Sequence, residues 1–271
     1  MFNHQLLQKL NIDPHFYMGV TRNPNATSRM DNPYLVEDDE VYQSARAEFI
    51  NELRQSFEGD ESLRCEKCGI ALPAGYHIHH NDGDHTNNNK ENFRLRDPFC
   101  HLSSHLGFVG VNNMATVVYV PQIPQALLNQ IQIIAYAYEH ILNGYTTNSK
   151  QYAKLSMQQV NLKTLLQSIE ATKAVVYRNF QTNDPLHFAN IFTAMSEDDY
   201  QNRAFKTDST NQLSEMGTFA GLRLLFEPSK FEKEIKNFAK HVLMQEHRTH
   251  ENNPSSWFDA AKLLKQRGKN G

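Results

Sequence analysis

Cysteine is scarce in this chain: three among 271 residues, an odd number, with two of them close together as Cys65 and Cys68. That scarcity excludes the disulfide framework of small secreted domains, whereas a C-x2-C pair fits a metal clip in a reducing compartment. An excess of positive charge is also missing. Lys and Arg number 27 against 30 Asp and Glu, so no global basic field draws nucleic acid or anionic lipid to the protein. Long apolar runs are missing too. The longest apolar-looking stretch, IIAYAYEHIL at 133–142, is too short to cross a bilayer, and MFNHQLLQKLNIDPHF at the start lacks a charged region followed by an apolar one. These features predict a soluble, unexported protein of the cytoplasm. No internal repeat stands out, and 39% hydrophobic content is enough for a sizeable core.

What is present divides the chain into three. Residues 1–38 place Pro14, Pro24 and Pro33 among Asn, Asp and Ser without a sustained period, which predicts an irregular arm that wraps the protein or waits for a partner. From Asp38 to Phe57, Val41, Ala45, Phe49, Ile50 and Leu53 recur at three and four, the pattern of an amphipathic helix leading into the cysteines. MATVVYV at 114–120 is β-branched and short, a strand ended by Pro121, and a helix runs from about Pro124 to Leu142. After the polar break TTNSKQ at 146–151, Leu162, Leu165, Leu166, Ile169 and Val176 keep helical spacing. Capping-box chemistry marks four more starts: Ser196 with Asp199, Ser209 with Gln212, Ser229 with Glu232, and Ser256 with Asp259. The third opens a helix whose Phe231, Ile235, Phe238 and Val242 form an apolar stripe, a core face by default and a binding groove otherwise. The expected fold class is α+β and mostly helical, with an arm at 1–38, a zinc-binding domain at 39–143 and a helical C-terminal domain at 156–271.

The chemistry is concentrated between these helices. HIHHNDGDHTNNNKEN, from His77 to Asn92, packs four histidines, two aspartates and five asparagines into sixteen residues with almost nothing to fill a core. The C-x2-C pair Cys65 and Cys68 is followed by one further cysteine, Cys100. Zinc takes four ligands in a tetrahedron, and structural sites pair one such knuckle with a second. Here Asp97 stands where the second knuckle's first thiolate belongs, so three thiolates and one carboxylate form the expected site, with His77 and His105 as rivals for the fourth position. Tyr76 to His80 alternates like a strand, Asn81 to Asn89 is all turn formers, and Pro98 to Leu106 can form a helix that Pro98 starts.

A strand, loop, strand and helix hung on zinc resembles the ββα-metal module of the HNH endonuclease superfamily. The resemblance rests on His79-His80, Glu91-Asn92-Phe93 and Cys100-His101, and covers about 45 residues. It implies that His79 and His101 hold a divalent cation such as Mg2+ or Mn2+. His80 would then take a proton from the attacking water, and Asn92 would fix the loop carrying that base.

Charge argues against cleavage of a duplex. Between Asp60 and Gly107, Arg64, Lys67, Lys90, Arg94 and Arg96 face seven acidic residues, and no Lys- or Arg-rich helix follows. A narrower resemblance agrees. The run CHLSSHLGFVGVNNMATVVYVPQIPQALLNQI, followed by DPLHFANIFTAMSEDDYQNR, GLRLLFEP and NPSSWF, is similar to the IcmJ/DotN family of type IVB secretion systems, over roughly residues 30–262. Asp97 and the polar insert near 144–156 depart from that family's pattern. The resemblance implies an HNH-like zinc fold used as an adaptor: a cytoplasmic subunit of the coupling complex, brought to the inner membrane by its partners, holding the coupling ATPase tail. Nucleic acid is not an expected partner. The strand and helix at 114–142 and the stripe at 231–242 are the expected docking faces.

Overall fold

The computed structural model describes residues 7–8, 10–23, 32–34, 39–56, 63–72, 76–144, 150–204, 206–207, 213–214 and 217–248. Ser209, Ser256 and the segment NPSSWF lie outside them, as do parts of the arm. Helix α1 (Glu40–Ser56) forms as its spacing predicts, but its inner face differs by one position. Tyr42 and Ile50 are buried, whereas Val41 is 67% exposed. The reason is aromatic: Tyr42 packs on His80 and Phe93 and takes the inward place.

Strand β1 (His77–His80) pairs antiparallel with β2 (Phe93–Arg96), His77 opposite Arg96 and His80 opposite Phe93. Asp97 then caps helix α2 (Pro98–Leu102). The helix anticipated over 98–106 is two helices, because Gly19 of the arm interrupts it. The Gly19 N–H donates to the Ser103 carbonyl, and the Gly19 carbonyl accepts from Leu106 N, so the backbone groups at the break find partners in the arm rather than along a continuing helix. Helix α3 (Leu106–Val111) restarts beyond the break.

Strand β3 (Ala115–Tyr119) is followed by helix α4 (Gln125–Leu142), both as predicted. Helices α5 (Lys150–Ala171), α6 (Lys173–Phe180), α7 (Pro185–Ala194) and α8 (Glu197–Gln201) come next. Ser196 caps α8 as expected, its Oγ accepting from Asp199 N at 3.1 Å and donating to the Asp199 carboxylate at 2.6 Å. The two-residue strands β4 (Lys206–Thr207) and β5 (Leu213–Ser214) pair with each other. Strand β6 (Leu222–Phe226) and helix α9 (Glu232–Arg248) complete the order. Ser229 does not serve α9: Pro228 starts a short 3-10 turn, and the Ser229 hydroxyl instead donates to Glu227 at 3.2 Å.

The two long halves share one core. Strand β3 pairs antiparallel with β6, Ala115 opposite Phe226 and Tyr119 opposite Leu222, so residues from 39–143 and 156–271 build the same sheet. Both edges of this two-stranded sheet are occupied. On the β6 side, Gln125 accepts from Leu224 N at 2.7 Å and Gln132 from Phe226 N at 2.6 Å, side-chain amides of α4 standing in for a third strand. On the β3 side, Val117 N donates to the Asn183 carbonyl and Tyr119 N to the Thr172 hydroxyl. Phe99, Phe226 and Phe231 meet beneath the sheet, with Phe99 4.7 Å from each of the other two rings.

One expectation changes as a result. The anticipated docking faces are interior: α4 is buried along most of its length, and Phe231 lies in the core with Ile235 and Phe238 of α9. The arm follows the first of its two anticipated courses and packs on the protein, since Leu10, Ile12, Phe16, Met18 and Val20 are buried. The arm has no period because its order comes from distant partners, among them the Tyr200 hydroxyl on Val20 and the Arg203 guanidinium on the Met18 carbonyl. The fold is α+β and mostly helical, with three two-stranded antiparallel sheets among the described residues. No helix among the described residues is long and apolar enough to cross a membrane.

Candidate metal centres

Helix α2 carries Cys100 and His101 side by side, and each belongs to a different cluster of donors. In the first, one ligand atom from each of Cys65, Cys68, Asp97 and Cys100 lies within 4.8 Å of the others, and all four residues are buried. The knuckle is shaped by a turn in which Gly69 N donates to Cys65 O at 2.9 Å and Cys65 N to Ile70 O at 2.9 Å. Gly69 sits at φ +69° with the Leu10 carbonyl so close that an added Cβ would meet it at 2.3 Å, so glycine is required there by both conformation and space.

Asp97 performs two tasks with its two oxygens. Oδ1 accepts from Phe99 N at 2.8 Å and Cys100 N at 3.0 Å, capping α2, while Oδ2 lies 3.2 Å from Cys68 Sγ. Helix α4 ties the cluster to the core from outside. Asn129 Nδ2 donates to Cys100 Sγ at 3.4 Å and to Ser103 Oγ at 3.1 Å, and Gln130 Nε2 donates to Cys68 O at 3.1 Å. Burial, the largest influence on each, pushes the Asp97 carboxyl up to about 8 and the Cys68 and Cys100 thiols well above their usual range. Without a cation this cluster holds protons; a divalent ion that displaces them supplies the missing positive charge. The donor set therefore fits a metal. Of the three rivals for the fourth position, Asp97 is the one grouped with the thiols, and His105 belongs elsewhere.

The second cluster brings His79, His101 and His105 together, again with ligand atoms within 4.8 Å and all three residues buried. His79 comes from β1, His101 from α2 and His105 from the turn that Gly19 interrupts. His79 Nδ1 is buried without a hydrogen-bond partner, the kind of orphaned atom that a cation would satisfy. His101 Nδ1 lies 2.9 Å from His77 Nδ1, and His105 Nδ1 lies 3.2 Å from Thr21 Oγ1 of the arm. Burial, the main cause, pushes His77 down to about 4 and His79 and His101 well below the usual imidazole range, so the rings are neutral and each keeps one nitrogen lone pair.

His80 is not part of this trio. Its ring is 2% exposed, lies against Tyr42, Phe93 and His85, and its Nε2 meets Asn88 Oδ1 at 3.2 Å. Asn92 ties down the loop after β1: its Oδ1 accepts from Asp82 N at 3.0 Å, and its Nδ2 donates to Asp82 Oδ1 at 2.8 Å and to Asn87 O at 3.1 Å.

A cleft of about 570 Å³ opens beside His79, lined by Arg22, Lys67, Arg96 and Arg203 among others. Each of these cations is already engaged. Arg22 donates to Phe192 O and Met195 O and pairs with Glu197, while Arg203 donates to Met18 O and Tyr200 O. Lys67 pairs with Asp13 at 3.0 Å. Arg96 donates to Ser104 Oγ and lies over Phe16, leaving its buried Nε without an acceptor.

Sequence reasoning passed over His105 as a partner of His101 and the amides of α4. The four-residue spacing of His101 and His105 was a usable signal on the continuous helix expected there, where residues four apart share a face, although the structure brings the two together across a break. Gln125, Asn129, Gln130 and Gln132 in an otherwise mostly apolar helix were another, since buried amides need assigned partners. No protein-family model matches this chain, and no curated protein matches it.

Proposed function

We propose that this protein is a non-catalytic adaptor stabilised by zinc, with an HNH-like ββα-metal module at its centre. Its proposed setting is the cytoplasmic coupling complex of a type IVB secretion or related conjugation machine, where it binds the coupling ATPase tail and partner subunits. Three thiolates and a carboxylate suit zinc among the divalent cations. The observation that carries the reading is the cleft beside His79, whose four cations are all engaged with the protein itself. A duplex is held by Lys and Arg that displace its counterions. With Arg22 and Arg203 tying the arm to the C-terminal half, and Lys67 and Arg96 tying the arm to the module, the module serves as a scaffold. Exposed apolar residues remain for a partner elsewhere, notably Met157 and Val160, three apart on α5.

One observation favours a second reading, an HNH endonuclease using Mg2+ or Mn2+ with His80 as general base: the three histidines of the second cluster converge on one point. In either reading that cluster is a second cation site, holding an exchangeable ion without chemistry in the adaptor and a reactive one in the nuclease. Plasmid DNA incubated with the purified protein and Mg2+ or Mn2+ is expected to stay intact. Nicking that disappears in His80→Ala would establish the nuclease instead. Co-elution with the coupling ATPase tail is the matching positive test, and its failure would remove the adaptor reading.

A further inference from the structure

We propose that His77 is the positioning residue of the three-histidine cluster: by accepting the Nδ1–H of His101 it commits that ring to a metal through Nε2. The proposal rests on reading His79, His101 and His105 as a cation site, and it gives a role to a histidine that the sequence offered only as a rival zinc ligand.

The argument begins with one distance. The Nδ1 atoms of His77 and His101 are 2.9 Å apart, a hydrogen-bond separation between two atoms of the same kind. A neutral imidazole carries a single N–H, so one of these Nδ1 atoms holds the proton and the other accepts it. If His101 holds it, its lone pair is on Nε2 and faces a cation. If His77 holds it, His101 carries its own proton on Nε2 and cannot ligate. The pair therefore has a ligating and a non-ligating arrangement, and a cation at the cluster selects the first. Histidines that bind metals commonly donate their second N–H to such a partner, which fixes both tautomer and ring orientation.

The rest of the cluster agrees with this assignment. His105 has the same arrangement, its Nδ1 at 3.2 Å from Thr21 Oγ1, and with the proton on Nδ1 it offers Nε2 to a cation. His79 is the converse case, with Nδ1 the buried atom that lacks a hydrogen-bond partner. His77 is in turn held in place, its ring edge-on to Tyr34 at 5.6 Å and to His101 at 5.0 Å. It lines a cleft of about 300 Å³ with Tyr42, Arg46 and Tyr76, so its Nε2–H has polar surroundings when Nδ1 accepts.

The test uses Co2+ alone as the probe, added to the metal-free full chain. The thiolate cluster reports itself by sulfur-to-cobalt charge-transfer absorption, and the histidine cluster by a second equivalent with paramagnetically shifted ring N–H resonances. His77→Phe keeps a ring but removes the acceptor; His77→Asn keeps an acceptor oxygen near the place of Nδ1. The expected result is an affinity for the second equivalent about 10–100-fold weaker in His77→Phe, with the His101 N–H resonance lost to exchange. His77→Asn should restore both, and the charge-transfer band should be unchanged throughout. A His77→Phe protein that binds the second equivalent as tightly as the parent would overturn the role of His77 while leaving the cluster as a metal site. A parent protein that takes up one equivalent only would overturn both. Loss of the charge-transfer band in His77→Phe would make His77 a folding residue and overturn the proposal as well.

Discussion

The two donor clusters share helix α2 yet are built on opposite plans. The cysteine cluster is sealed: its four residues are 0% exposed, Asp97 Oδ1 caps a helix, and α4 reaches it with amides from the core. The histidine cluster lies between two clefts, with His101 facing one and His79 the other. Its outer contacts come from the arm through Thr21 and from β1 through His77. A metal held in a sealed donor set would form part of the interior and serve folding. An ion held in a donor set reached from clefts would exchange, so burial sets a candidate structural site apart from a candidate exchangeable one.

Removing a thiolate gives the largest expected effect. Metal binding at structural sites is worth on the order of 10 kcal/mol, comparable to a domain's whole stability of about 5–15 kcal/mol. Cys68→Ser is therefore expected to lose both its metal and its cooperative melting transition, whereas His101→Ala keeps a transition. Elemental analysis beside a melting curve checks this, and a folded, metal-free Cys68→Ser protein would erase the contrast between the clusters.

Acid should act next, and mainly on the histidines. Burial lowers His77 from 6.5 to about 4 and lowers His79 and His101 strongly, so the unfolded chain binds protons that the folded one refuses. Their contribution is complete above pH 6.5 and is lost as pH falls from 6.5 towards 4. Melting temperature measured across that window should fall steeply, and fall less in a variant whose His77 is replaced by Asn. A flat profile would mean that the rings are charged in the fold.

The smallest expected effect comes from outside the cysteine cluster. Asn129→Ala leaves Cys100 Sγ and Ser103 Oγ without their donor and should cost about 1–3 kcal/mol. Its sharper signature is kinetic, a faster release of metal to a chelator. An unchanged release rate would show that α4 packs against the cluster without steadying it.

Local chemistry was legible in the sequence. Cys65, Cys68, Asp97 and Cys100 could be grouped from spacing, Pro98 and Pro124 marked where helices begin, and Ser196 with Asp199 announced a cap. What escaped depends on partners far away in the chain. Pairing of β3 with β6 joins residues that no local pattern relates, and it turns the apolar surfaces of α4 and α9 into interior. Nothing near Ser103 signals that Gly19 will enter the helix there. Val41 and Tyr42 are both plausible inner residues for α1, and the choice is made by His80 and Phe93 across the hairpin.

The glutamines of α4 carry one more implication. Gln125 and Gln132 occupy the outer rail of β6, while Asn183 and Thr172 hold that of β3. A guest peptide seeking to extend this ribbon by adding its own strand would find both rails taken, as would a second copy of the chain drawn towards fibril-like stacking. A partner that docks at this sheet must instead be received on side chains, through a groove or a helical face.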